Sequence, residues 1–160
     1  MKKFIFILIF AISTTFSFAL EIGYKAPNSK VELSDGKQVS LSDYKGKYLF
    51  LHFWATWCGP CRKELPELQQ FYKSLSPSSN IQFLAICISD SKKNMDSFMS
   101  KNKFTFPTAL DESGFLVALP YDVQAIPVSI IINPEGKIEK QVIGMMSPKA
   151  LENFVKDYVN

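Results

Sequence analysis

The chain has 160 residues, 47% apolar and 14% aromatic, with 18 Lys plus Arg against 15 Asp plus Glu and a formal net charge of +3. That is room for one domain with a proper core. Lys2 and Lys3 stand in a leader; without them 16 bases face 15 acids, a net +1 that gives no footing for nucleic acid or an anionic surface.

Lys2-Lys3, the apolar run Phe4 to Ile12 and the small residues ending at Ser17-Phe18-Ala19 read as a secretory leader. Residues 1–19 are expected as a signal peptide, cleaved after Ala19 or kept as an uncleaved membrane anchor, and residues 20–160 as the working domain. Either way the domain is expected in the periplasm or on the outer face of the cytoplasmic membrane.

Ala26-Pro27 to Leu33, the Asp35-Gly36 turn and Gln38 to Leu41 suggest a short hairpin. After the turn Ser42 to Lys47, the apolar run Tyr48 to Trp54 reads as a buried strand. It leads through Ala55-Thr56-Trp57 into Cys58-Gly59-Pro60-Cys61, and Arg62-Lys63-Glu64-Leu65 continues as a helix. Ser76 to Asn80 is a loop, Ile81 to Ile88 a second buried strand, and Ser89 to Lys103 a helix with Met95, Phe98 and Met99 on one face. Thr105 to Leu110 is extended, and Phe115 to Leu119 is expected as a short helix stopped by Pro120. Pro127 to Ile132 and Lys137 to Ile143 form a hairpin about Asn133-Pro134-Glu135-Gly136. Ser147 and Pro148 open the last helix as N-cap and N1, with Leu151, Phe154, Val155 and Tyr158 on its inner stripe. There is no repeat and no second domain.

The chemistry concentrates in the C-x-x-C. At a strand-to-helix junction the first sulfur, Cys58, meets the free N–H groups and positive dipole end of the helix, which favour a thiolate. Cys61, one turn further in, is placed to close a disulfide: Cys58 attacks and Cys61 resolves. Cys87, the third cysteine, reads as a buried inert thiol. Zinc would need four ligands, and His52 is the only histidine, so no metal is expected. A purely structural disulfide would gain little from so small a loop. His52 lies on the strand below the motif, on the face of Trp54. It is either a proton acceptor for Cys61, titrating near neutrality, or a core imidazole satisfied by a local hydrogen bond. Burial would lower its pKa in both cases. Glu64 is either a tuner or proton relay for the cysteines or a solvated helix residue.

Phe53-Trp54-Ala55-x-Trp57-Cys58-Gly59-Pro60-Cys61, with Pro66 five residues on and Ile126-Pro127 later, resembles the signature of the thioredoxin superfamily. The succession Ala26-Pro27, Asp35-Gly36-Lys37, Leu41-Ser42-Asp43-x-x-Gly46-Lys47 and then the Trp-Cys motif is similar to its TlpA/ResA-type branch. That likeness implies an α/β thioredoxin fold: a central mixed sheet flanked by helices, an N-terminal hairpin and a central αβ insertion. It implies an extracytoplasmic thiol-disulfide oxidoreductase with no cofactor beyond a redox-active Cys58–Cys61 disulfide. Ile126-Pro127 would be the cis-proline loop beside Cys58, where the Ile126 backbone pairs with an extended client, and Trp57, Gly59 and Pro60 would complete the contact surface. Where the branch commonly has Asn, this chain has His52, and where Thr is usual after the proline it has Val128; Glu64 resembles the active-site glutamate of ResA-like proteins.

The Gly59-Pro60 dipeptide is that of thioredoxin and leans the protein toward donating electrons. The implied partners are disulfide-bearing client proteins, apocytochrome c with its Cys-x-x-Cys-His among them, and a membrane electron donor; the chain is taken as a monomer. A disulfide oxidase or isomerase, and a redox-responsive binding module without turnover, are the competing readings. The C-x-x-C arrangement argues against a peroxidase.

Overall fold

The computed structural model describes residues 21–159; the leader expected over residues 1–19 lies outside them. β1 (Lys30–Glu32) and β2 (Gln38–Ser40) pair antiparallel with Val31 opposite Val39, and Gly36 takes the left-handed turn position at φ +86°. A 3-10 turn, Leu41–Tyr44, follows. The remaining strands, β3 (Tyr48–Trp54), β4 (Ile81–Ile88), β5 (Thr108–Asp111), β6 (Val128–Ile132) and β7 (Ile138–Ile143), share one five-stranded sheet of order β5-β4-β3-β6-β7. β3 runs parallel to β4 and antiparallel to β6, so the strand that carries the motif is the middle one, buried from end to end except at Tyr48.

Strand alternation sorts the core into two layers. Phe50, Trp54, Phe83, Ala85 and Ile131 face α1 (Gly59–Ser74), α2 (Lys92–Asn102) and α3 (Pro148–Val155). Leu51, Phe53, Leu84, Ile86 and Ile130 face the hairpin and the buried Val117, Ala118 and Tyr121. Each fully buried aromatic or branched chain contributes about 1.5–3 kcal/mol, so both layers are needed to hold the middle strand. The last helix begins where the sequence implied, with Ser147 accepting the Ala150 N–H at 3.2 Å and Pro148 in the first turn. In contrast, α2, expected from Ser89, begins at Lys92 with Ser91 as its N-cap, accepting the Asn94 N–H at 3.2 Å. Leu151, Phe154, Val155 and Tyr158 are all buried, although Tyr158 lies past the helix end.

Phe115 to Leu119 is not a helix but a run of turns. The Asp111 carboxylate takes the N–H groups of Leu116, Val117 and Ala118 at 2.8–3.1 Å. Leu119 and Val123 then bond five residues back, to Gly114 and Ala118, a wider winding than an α-helix. Pro120 has no N–H for the Leu116 carbonyl, which accepts the Ser29 hydroxyl at 2.8 Å instead. Of this run only Val117 and Ala118 pack on the hairpin-side layer, while Phe115, Leu116 and Leu119 are exposed.

Candidate active site

Cys58 is the N-cap of α1 with extended backbone (φ −80°, ψ 108°), and Gly59 and Pro60 occupy the first turn. Its Sγ accepts the Cys61 N–H at 3.2 Å, using one of the donors a helix start leaves free. The two cysteines form a disulfide with Cα atoms 5.3 Å apart. Cys58 is 5% exposed and Cys61 fully buried, so of the two sulfurs the first lies nearer solvent. Ile126-Pro127 is cis, and the Ile126 carbonyl oxygen lies 3.7 Å from Cys58 Sγ. Trp57 is 61% exposed, with its indole N–H on the Ser89 carbonyl at 3.0 Å, whereas Trp54 is fully buried in the helix-side layer. A groove of about 460 Å3 opens beside the disulfide, lined by Trp57, Cys58, Gly59, Pro60 and Ile126 together with Val123 and its neighbours. Of the expected contact residues only Pro127 is not on its wall.

Beneath the disulfide lie two buried ionisable groups. Cys61, Glu64, Leu65 and Leu68 fall on the inner stripe of α1, so Glu64 shares its face with Cys61 and is 2% exposed. Its Oε1 accepts the Met146 N–H at 3.1 Å, and Oε2 has no partner among the described residues. Burial pushes this carboxyl up to about 7, against the pull of the Met146 bond. His52, fully buried on β3, has Nδ1 2.9 Å from the Ser129 hydroxyl on β6, its partner across the ladder, and Nε2 unpartnered. Burial lowers its pKa to about 3. The lowering expected from burial is present, but it carries the imidazole out of the neutral range, and the group that titrates near neutrality is Glu64. Cys87 is fully buried, its thiol pushed up to about 12 by burial and then by the Asp90 charge, an inert sulfur as expected.

Two features escaped the sequence reading. Gly144 donates its N–H to the Pro127 carbonyl at 2.8 Å, and its neighbours Ile143 and Met145 are 70% and 49% exposed. They are exposed apolar side chains at the strand end bonded to the cis-proline; a glycine between two large apolar residues at a strand end was the available signal. Ser129 as the partner of His52 had no local signal, because the two meet only through strand register, 77 residues apart.

A thioredoxin-like fold carrying a Cys-x-x-Cys disulfide at a helix N-terminus, opposite a cis-proline and an open apolar groove, is that of a thiol-disulfide oxidoreductase. Residues 22–141 match the family model described as the AhpC/TSA family, and the chain belongs to that family. It is 40% identical over 138 residues to thiol-disulfide oxidoreductase ResA of Bacillus subtilis (strain 168), covering 86% of this chain and 74% of that protein. Sporulation thiol-disulfide oxidoreductase A of the same organism is 36% identical over 126 residues, covering 77% and 74%. Among solved structures, StoA from Bacillus subtilis superposes with a TM-score of 0.70 at 33% identity, covering 81% of this chain and 96% of that one. A putative thiol:disulfide interchange protein DsbE from Chlorobium tepidum does so with 0.75 at 31% identity, covering 88% and 99%.

Proposed function

We propose that the protein works outside the cytoplasm as a reductase of protein disulfides, with Cys58 as attacking thiol, Cys61 as resolving thiol and Glu64 as the acceptor of the Cys61 proton. The observation that carries this reading is the placement of the two sulfurs: Cys58 caps α1 at the edge of the groove, and Cys61 is sealed behind it on the helix face it shares with Glu64. In the reduced pair the Cys58 thiolate attacks one sulfur of the client disulfide, and the client's other sulfur leaves as a thiolate. Cys61 gives its proton to Glu64 and attacks the Cys58 sulfur. The second client thiolate departs, and two electrons have passed to the client as the Cys58–Cys61 disulfide closes. A carboxyl near 7 is matched to that proton transfer, whereas an imidazole lowered to about 3 is too weak a base to take the proton at neutral pH. His52 then serves as a neutral imidazole anchored on Ser129.

The groove wall carries Trp57, Gly59, Pro60 and Ile126, which suits an extended client segment paired to the Ile126 backbone next to Cys58. By its likeness to ResA, the Cys-x-x-Cys-His segment of apocytochrome c is the proposed client, and a membrane thiol-disulfide transporter the proposed electron donor. The leader-like residues 1–19 support the location.

Three measurements test this. Cys58→Ser abolishes insulin-disulfide reduction and all mixed-disulfide formation, while Cys61→Ser accumulates mixed disulfides through Cys58, whose clients can be identified from intact cells. A reduction potential near that of thioredoxin, about −270 mV, supports reduction; one near −120 mV would make the protein an oxidant. If Glu64→Gln resolves mixed disulfides at the native rate, Glu64 is not the required acceptor, and slowing only in the double change with His52→Asn means that either group can take the proton.

A further inference from the structure

The loop that delivers Cys58 is fastened by a single side chain on a neighbouring turn. Ala55, Thr56 and Trp57 join β3 to α1, and the turn Ser89–Ser91 joins β4 to α2 alongside them. Asp90 Oδ2 accepts both the backbone N–H of Thr56, at 2.8 Å, and its hydroxyl. Asp90 Oδ1 accepts the Ser91 N–H at 2.8 Å and the Asn94 amide at 3.0 Å. The carboxylate is 8% exposed, and among the described residues no cation pairs with it. Ser89, which holds the Trp57 indole, stands at φ +49°, a left-handed conformation unusual outside glycine. A turn held that tightly, bonded to the two residues before Cys58, does more than cap α2.

We propose that Asp90 is a positioning residue for the exchange reaction: by holding Thr56 through two hydrogen bonds it sets the Ala55–Trp57 loop so that Cys58 caps α1 with its sulfur on the Cys61 N–H. The chemistry asks for a carboxylate. Four donors converge on two oxygens, and only an ionised carboxylate accepts at both. An amide of the same shape turns its N–H2 against either Thr56 or the Ser91 and Asn94 pair. Burial pushes the Asp90 carboxyl up, but the bonds from Thr56, Asn94 and Ser91 together outweigh it and keep the group below its ordinary value. The other groups facing it are uncharged: Thr56 from the loop, Asn94 from α2, and from β4 the Cys87 thiol, with Sγ 4.0 Å from Oδ2.

Clamp and charge act on Cys58 with opposite signs. Negative charge close by disfavours a thiolate, so losing charge alone would lower the Cys58 pKa. Losing the clamp takes the sulfur off the helix N-terminus and raises it.

The inference rests on Cys58 being the attacking thiol, and the site of labelling tests that separately. In the reduced full-length protein, limiting iodoacetamide is applied across a pH series with the labelled cysteine identified by mass spectrometry, and attack on oxidised glutathione is timed in parallel. Asp90→Asn is expected to raise the Cys58 pKa by about one unit and to slow attack about tenfold below it. Thr56→Val, which removes only the hydroxyl bond, shifts both in the same direction by less. Asp90→Asn combined with Asn94→Asp restores both in large part, because the new amide can turn its oxygen to Thr56 and its N–H2 to the new carboxylate at position 94, leaving only the Ser91 N–H opposed. A Cys58 pKa that is unchanged or lowered in Asp90→Asn overturns the proposal, as does a double variant no better than the single one. If Asp90→Asn does not fold, an unshifted Thr56→Val overturns it. Label appearing first on Cys61 overturns instead the assignment of roles on which it rests.

Discussion

Two of the buried carboxylates, one on each face of the central sheet, are treated in opposite ways. Asp111, on the hairpin side, is 1% exposed and receives three backbone N–H groups, from Leu116, Val117 and Ala118. Glu64, on the helix side, is 2% exposed and receives one, from Met146, leaving Oε2 without a partner among the described residues. A buried acid whose lone pairs are filled is a structural part, since its ionised form is fully solvated by the backbone. A buried acid left half-satisfied is poised near neutrality and can exchange a proton. The helix-side layer, which holds Cys61, Glu64 and His52, therefore accepts at Glu64 a stability cost that the hairpin-side layer avoids at Asp111.

The strongest way to break this contrast is Asp111→Ala. It strands three donors at about 1–3 kcal/mol each, so urea unfolding should show a loss of about 3 kcal/mol or more, with disulfide reduction per folded molecule unchanged. A loss under about 1 kcal/mol would mean that water replaces the carboxylate and that the filling of its lone pairs matters little.

Glu64→Gln is the converse. Rapid-mixing measurements should show resolution of the mixed disulfide slowed by about 10²-fold, the low end of acid–base effects, while the first attack by Cys58 is little changed. The pH profile of resolution should lose a group near 7.

The same variant sharpens the contrast through stability. The folded-state pKa of Glu64 is raised from 4.5 to about 7, so the native fold has its full stability from this group below 4.5 and loses it as pH rises to about 7. Glu64→Gln removes that slope. Its melting temperature relative to the native protein should be higher at pH 8 than at pH 4, and an equal difference at both would show that Oε2 is solvated.

The smallest effect is expected at His52. Its folded-state pKa is lowered from 6.5 to about 3, so its contribution is present above 6.5 and lost as pH falls toward 3. His52→Asn should cost about 1 kcal/mol at neutral pH for the unfilled ring volume, yet lose stability less steeply on acidification through that window. An acid slope identical to the native one would place a solvating partner on Nε2.

Much of this was legible in the sequence because it is local. The limits of β3 and β4 follow from apolar runs broken only by His52 and Gln82, and the N-cap Ser147 is set by a short-range hydrogen bond. The burial of Glu64 was implicit in its spacing from Cys61, Leu65 and Leu68, although its helix neighbours Arg62 and Lys63 also suited a solvated reading. Phe115 to Leu119 misled for the same reason that the others succeeded. Its apolar run stopped by Pro120 reads locally as a short helix, but Asp111 and the gap at Pro120 wind it differently, and both act through contacts outside the segment.

By itself, then, the sequence determined the class of chemistry. Two cysteines three apart at a strand-to-helix junction define a reactive and a sheltered sulfur wherever they occur, because helix termini always leave N–H groups free. Tertiary structure alone decided the surroundings of the two buried titratable groups near them. His52 and Glu64 are equally titratable on paper. Register sets the imidazole against Ser129 in an apolar layer that rejects its charge, and the chain 82 residues beyond Glu64 returns to offer that carboxylate only the single N–H of Met146. A pKa is a property of surroundings, and surroundings of this kind are assembled only when distant segments pack.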